Sequence, residues 1–220
     1  MKLEINVPEN LNEITLEQYQ RFDKINTEEN QNSNFLFHKT VEIFCGLELK
    51  DIASIRVNSI KDILGDIDKV FSEKTDLVPT FTLEGIEYGF IPKLDDITIG
   101  EFIDLDENLT NWETIHKAMA VLYRPINYKK EGKYLIEEYK GLDNAEVFKS
   151  MPLGIAMGAM VFFYRLNNEL LQITLSYLKK EAPNQMNTEE LIALERNGAG
   201  SSLFMDSLRE MLPVSILLLD

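Results

Sequence analysis

The strongest constraint on this chain is an internal repeat. The segment Val7-Pro8-Glu9-Asn10-Leu11-Asn12-Glu13-Ile14-Thr15-Leu16-Glu17-Gln18-Tyr19 lines up with Ile91-Pro92-Lys93 followed by Leu94-Asp95-Asp96-Ile97-Thr98-Ile99-Gly100-Glu101-Phe102, without gaps from Leu11 and Leu94 onward. Further along, Phe37-His38-Lys39-Thr40-Val41-Glu42-Ile43-Phe44 matches Ile115-His116-Lys117-Ala118-Met119-Ala120-Val121-Leu122, so the chain's two histidines fall at equivalent places. Two matches in the same order predict two similar strand–Pro–helix–helix units, at about 5–46 and 88–126.

Each copy carries the same local physics. Thr15 with Gln18, and Thr98 with Glu101, have the spacing of a capping box, in which the hydroxyl accepts from the N3 amide and the N3 side chain reaches back to the cap. Ile14 with Tyr19, and Ile97 with Phe102, stand at the two positions of a hydrophobic staple. Helices should therefore start near Leu16 and Ile99. The second helix of each pair shows one apolar face: Phe37, Val41, Phe44 and Cys45 in the first, Trp112, Ile115, Met119, Leu122 and Tyr123 in the second. Gly46 should stop the one and Arg124-Pro125 the other.

Between the copies, helical patterns cover about Leu49–Ile55 and Ser59–Ser72. Alternation on either side of Glu84-Gly85, within Thr80–Phe90, predicts a β-hairpin. A second hairpin is expected within Asn127–Tyr139. An N-terminal strand over Lys2–Val7 should feed Pro8 as the hairpin strand feeds Pro92, with these strands sharing one small sheet. A long helix follows Pro152 to about Glu181. After it come an amphipathic stretch at Thr188–Arg196, a turn at Asn197-Gly198-Ala199-Gly200, and a helical segment from Ser202. The fold class is mainly α with a small antiparallel β component. The domain division is 1–182, a helical domain holding both units and the helix 152–181, and 183–220, a C-terminal helical extension.

Charge narrows the function classes. Twenty-two Lys and Arg against 37 Asp and Glu leave −15, and a phosphate backbone is bound by cations that displace its counterions. The basic residues do not cluster enough to reverse this, so direct nucleic-acid binding is not expected. The longest uncharged run, Ser150–Tyr164, falls short of the roughly 20 residues of a membrane span, and Met1-Lys2-Leu3-Glu4-Ile5 lacks the apolar run of a signal peptide. With Cys45 as the single cysteine, no internal disulfide forms. The expectation is a cytoplasmic protein without a membrane segment.

No catalytic or cofactor motif emerges. His38 and His116 read as histidines at the edge of a helical apolar face, and Cys45 as a small hydrophobe on its helix. Asp104-Leu105-Asp106-Glu107-Asn108-Leu109 begins like a calcium loop, then has Leu109 where glycine belongs and Ile115 where the closing glutamate belongs. Asp66 and Asp68 read as solvated charge. Gly198-Ala199-Gly200-Ser201-Ser202 lacks the lysine of a phosphate loop. The chain is therefore expected to be no enzyme, with no metal and no cofactor. Two features point to protein partners. Gly154 and Gly158, with Ala159, stand one turn apart and admit close approach of another segment. The tail Ile216, Leu217, Leu218 and Leu219 closes the core if docked and forms an interaction patch if exposed. Self-association is compatible with either.

The stretches Leu11–Tyr19 and His116-Lys117-Ala118-Met119-Ala120-Val121-Leu122-Tyr123-Arg124-Pro125-Ile126 resemble small proteins of tailed bacteriophages, over much of the chain up to about Ala182. Some of these resemble tail assembly chaperones, helical proteins of the host cytoplasm that hold the tape-measure protein before the tail tube forms around it. The resemblance implies a phage assembly factor that binds another phage structural protein, and carries over no site residues. The alternatives are a virion component, an adaptor in head, connector or tail, and an acidic inhibitor of a host enzyme.

Overall fold

The structure, a computed structural model, describes residues 5–31, 33–181 and 209–212. It is mainly helical with one four-stranded antiparallel sheet. Helix α1 spans Leu16–Asp23, α2 Asn34–Cys45, α3 Leu49–Ile52 and α4 Val57–Phe71. Strands β1 (Thr80–Leu83) and β2 (Ile86–Phe90) form the first hairpin. Helices α5 (Ile99–Asn108) and α6 (Ile115–Leu122) follow, then strands β3 (Tyr123–Lys130) and β4 (Lys133–Ile136), and finally the long α7 (Leu153–Glu181).

The helix starts are the ones the capping residues predict. In α1 and α5 both halves of the capping box are made, by Thr15 with Gln18 and by Thr98 with Glu101. Each of these helices is preceded by a short 3-10 turn, Leu11–Glu13 and Leu94–Asp96. Gly46 closes α2 at φ 65°, in the left-handed region that favours glycine. Pro125 has no amide to donate and biases Arg124 toward extended backbone, and α6 accordingly passes straight into β3 at Tyr123.

Strand order is β1-β2-β3-β4. Both hairpins turn on two residues with positive φ, Glu84-Gly85 and Glu131-Gly132, the conformation whose twist matches paired strands. The second hairpin begins earlier than its sequence pattern indicates, at Tyr123, which pairs with Phe90. The N-terminal strand is not borne out: Lys2, Leu3 and Glu4 lie outside the described residues, and 5–8 form no strand. β2 pairs with β1 on one side and β3 on the other, so a further strand could join this sheet only at the outer edge of β1 or β4.

The core centres on α6 and the first half of α7, each buried nearly all round. Ile115, Ala118, Met119, Val121 and Leu122 are sealed, as are Leu153, Ala156, Met157, Ala159 and Met160. The entry to α7 is tied to the entry to α1: Leu16 N–H donates to Met151 O at 2.9 Å and Leu153 N–H to Ile14 O at 2.8 Å. An aromatic cluster joins α1, α2, α4 and the start of the α6 segment, with Tyr19 and Trp112 rings 4.4 Å apart and Phe44 and Phe71 5.2 Å apart. Of the C-terminal extension 183–220 only 209–212 is described. There Leu212 enters the core and Met211 O accepts from Trp112 Nε1 at 3.3 Å.

The glycine pair on α7 is filled by the chain itself. A Cβ at Gly154 would meet Asn12 Oδ1 at 2.6 Å, and one at Gly158 would meet Asp76 O at 2.3 Å. The close approach read from the sequence is real, but its occupants are the Leu11–Asn12 turn and the Asp76–Leu77 backbone, not a second helix. Replacing Gly158 by alanine should therefore lower the unfolding free energy. The helix gains about 1 kcal/mol, yet overpacking against immobile backbone costs about 1–3 kcal/mol or more. Gly65 on α4 has nothing within 4 Å, and Gly65→Ala should gain up to about 1 kcal/mol. Urea denaturation of the two variants beside the parent checks the opposite signs.

Candidate interaction surfaces

α5 is built inside out. Its inward face carries Glu101, Leu105 and Asn108, exposed by 8% or less, while Ile99, Phe102 and Ile103 stand 79%, 58% and 48% exposed. At helical spacing of i, i+3 and i+4 these three form one continuous apolar ridge. Asp106 and Glu107, both exposed, follow Ile103 at i+3 and i+4 on the same helix, and α5 itself holds no basic residue.

Two polar contacts hold the helix this way round. Glu101 Oε2 accepts from Thr98 N and Oγ1, both at 2.7 Å, and Oε1 pairs with Arg124 Nη2 at 2.8 Å. The paired side chains are 5% and 13% exposed. Tyr139 donates its hydroxyl to Asp104, with burial and that hydrogen bond pushing the phenol well above its ordinary pKa. Arg124 also lies 6.0 Å from the Tyr139 ring.

A second surface lies on the β3–β4 hairpin. Tyr134 on β4 covers Gly89 of β2, where a Cβ would come within 2.5 Å of its ring, and donates its hydroxyl to Phe90 O at 2.8 Å. On the same side Lys129 pairs with Glu87. The opposite side, by the two-residue alternation of strands, carries the cross-strand pairs Tyr128–Leu135 and Lys130–Lys133. Tyr128 and Leu135 are 57% and 63% exposed.

The histidines differ. His38 is exposed on α2, whereas His116 is 4% exposed, so the core-edge reading fits neither one closely. His116 Nδ1 faces Gln20 Nε2 at 3.1 Å, and Nε2 faces Glu146 Oε1 at 3.2 Å. Since an amide nitrogen only donates, Nδ1 accepts and the ring proton sits on Nε2, directed at the carboxylate. Burial, then Lys149, hold the imidazole below its ordinary pKa, while Glu146 acts the other way. Cys45 is half-buried, and burial raises its thiol to about 11, as suits a packing residue.

Beside this network lies a half-open pocket of about 460 Å³, lined by Tyr88, Tyr123, Arg124, Tyr139, Glu146 and Phe148 among others. Part of its charged lining is committed, Arg124 to Glu101, Glu146 to His116 and Lys149, and Glu137 to Lys140. Arg124 Nε is buried without a hydrogen-bond partner. Asp104, Asp106 and Asn108 lie on regular helix, not on a calcium-type loop. Among the described residues no three His, Cys, Asp or Glu side chains gather to hold a metal ion, and no helix is long and apolar enough to cross a membrane. Ile216, Leu217, Leu218 and Leu219 lie outside the described residues, as do Thr188–Arg196 and the Gly198–Ser202 segment.

Of the partner-binding residues expected from sequence, then, Gly154 and Gly158 face inward. The exposed Ile99, Phe102 and Ile103 were missed, although Phe102 stands in the staple. The signal available was Glu101 between Gly100 and Phe102, a capping carboxylate with a second oxygen free to pair.

Removing one member of the buried pair strands the other. Glu101→Ala should cost about 3–5 kcal/mol, and Glu101→Leu with Arg124→Met far less, as measured by denaturant unfolding of the single and double variants. His116 should give stability a pH dependence. Its folded pKa is depressed, so below about 6.5 the unfolded chain binds more protons. The stabilisation is present above that pH and is lost as pH falls toward the folded value. The thermal midpoint should drop between about pH 7.5 and about pH 5.5, and His116→Gln should flatten that part of the profile.

Compared with known protein families, with curated proteins and with solved structures, this chain has no match.

Proposed function

We propose that this chain is a non-enzymatic bacteriophage assembly factor, similar in role to tail assembly chaperones, that binds another phage structural protein through a helical apolar surface. The observation that carries the reading is the outward ridge Ile99-Phe102-Ile103 on a helix fixed from behind by Glu101 and Arg124. Exposed apolar residues scattered singly are ordinary on protein surfaces, whereas a contiguous ridge rimmed by charge is typical of an interaction site. Because the capping box and the ion pair hold α5 in place, little conformational entropy is lost when the ridge is covered. The phage setting rests on the resemblance of Leu11–Tyr19 and His116–Ile126 to tailed-phage proteins. The acidic surface supports a protein partner over a nucleic acid, since fifteen net negative charges repel phosphate.

The test is affinity capture of the tagged chain from the infected host, with mass spectrometry of the captured proteins and of purified virions. A captured tail or tape-measure protein, with this chain missing from virions, supports the chaperone role. A fixed copy number in virions makes it an adaptor instead, and capture of a host enzyme alone overturns both. Phe102→Asp should abolish capture of the phage partner while changing stability by less than about 0.5 kcal/mol, because the side chain it replaces is largely solvated. Undiminished capture by that variant would remove α5 from the account.

A further inference from the structure

We propose that the outer face of the β3–β4 hairpin docks on the α5 ridge of a second copy of this chain, head to tail. The inference rests on the reading of the ridge as a docking surface: in the free protein a second copy occupies it, and the phage partner competes for the same ridge.

The two patches are complementary. The ridge is apolar with an acidic rim, which includes Asp106 and Glu107. The hairpin face is apolar, through Tyr128 and Leu135, with Lys130 and Lys133 at its tip, and the exposed Glu131 in the turn between them pairs with neither lysine, leaving the tip a net positive charge. In a chain of net charge −15 a basic tip of this kind stands out. The two lysines are direct cross-strand partners, an arrangement that destabilises a hairpin by like-charge repulsion. Among the described residues neither has an ion-pair partner, in contrast to the neighbouring Lys129. An anionic surface brought against the tip relieves that repulsion. Lysines near a sheet edge also discourage strand-on-strand pairing, but that role calls for charge alone and leaves the open Tyr128–Leu135 pair unexplained.

The patches are not each other's cover within one chain, since the apolar members of both are 48% exposed or more. Contact between them must come from different copies. The outer face of the hairpin is also rigidly backed, because Tyr134 over Gly89 and Lys129 on Glu87 pin its inner side to β2. Docked head to tail, one ridge on one hairpin, the contact is heterologous, and each dimer leaves one patch of each kind open.

Sedimentation of the purified full-length chain over a range of concentrations tests this. The parent should form dimers and larger species. Lys130→Glu with Lys133→Glu, and separately Phe102→Asp, should each weaken self-association at least about tenfold, as loss of a complementary contact does. The decisive sample is the mixture of these two variants. The first keeps an intact ridge and the second an intact hairpin, so together they should form a one-to-one heterodimer that grows no further. A parent that stays monomeric at every concentration, or a mixture in which neither variant binds the other, overturns the proposal. Misfolding cannot mimic the expected result, since heterodimer formation requires both variants folded. The functional reading fails separately: a monomeric parent whose phage partner is still lost with Phe102→Asp sinks self-docking alone, and self-association without any captured phage protein sinks the assembly role alone.

Discussion

The orientation of α5 hangs on one carboxylate. Glu101 uses one oxygen to cap its own helix and the other to hold Arg124, and both side chains are nearly out of solvent. An ion pair this dry gives little net stability, because desolvation offsets most of the attraction. Its effect is on specificity. A helix that turned its apolar side inward would swing Glu101 outward and leave Arg124 buried without a counter-charge, a state several kcal/mol worse. Arg124 cannot retreat, since it lies between the sealed Tyr123 and Pro125, paired with Gly89 in the centre of the sheet. The register of the sheet thus decides what α5 shows to solvent.

The aligned positions of α1 show what the same motif does under different cover. Gln18, at the place of Glu101, caps its helix and sends its amide to Ile43 O at 2.8 Å, which ties α1 to α2. Leu16, at the place of Ile99, is fully buried where Ile99 is 79% exposed, and Gln20 is 6% exposed where Ile103 is 48%. Tyr19 enters the aromatic cluster, whereas Phe102 stays out. The start of α7 covers α1, by the two hydrogen bonds through Met151 and Leu153. Nothing in the described chain plays that part for α5. α1 is covered from within the chain, whereas the aligned positions of α5 carry Ile99, Phe102 and Ile103 open to solvent.

This contrast separates what the sequence carries from what it does not. Capping residues, turn glycines and proline act over a few neighbours, and they made the starts of α1 and α5, the end of α2 and the first hairpin legible, whereas β3 begins at Tyr123, which the periodicity places on the preceding helix. Periodicity found Ile115, Met119 and Leu122 of α6, while Trp112 and Tyr123, expected on the same helix, are buried just outside it. The exposure of Ile99, Phe102 and Ile103 was only hinted at by the second oxygen of Glu101, because their pattern is what a buried helix would also show and it is the distant Arg124 that distinguishes the two. The glycines of α7 announced a close approach but not its occupant, which comes from segments far off in sequence. The N-terminal strand is not seen over residues 5–8, and the place beside β2 is taken by β3, a pairing between distant segments that local pattern does not announce.

Charge sets how such a surface could choose its partners. Two copies at −15 repel over distance, but at physiological salt that repulsion decays over about 8 Å. Contacts between rim side chains act at closer range than this, so the local signs at an interface outweigh the net charge. An acidic rim around an apolar ridge then works mainly by exclusion: most of this protein's own surface is turned away, and a basic-rimmed apolar face is admitted. The hairpin tip is such a face, bearing the very like-charge pair that an isolated hairpin would avoid. Its strain is relieved by an acidic surface, and the ridge's exposed area is removed from water by an apolar one. Each patch supplies what the other lacks, which neither net charge nor hydrophobicity alone would accomplish.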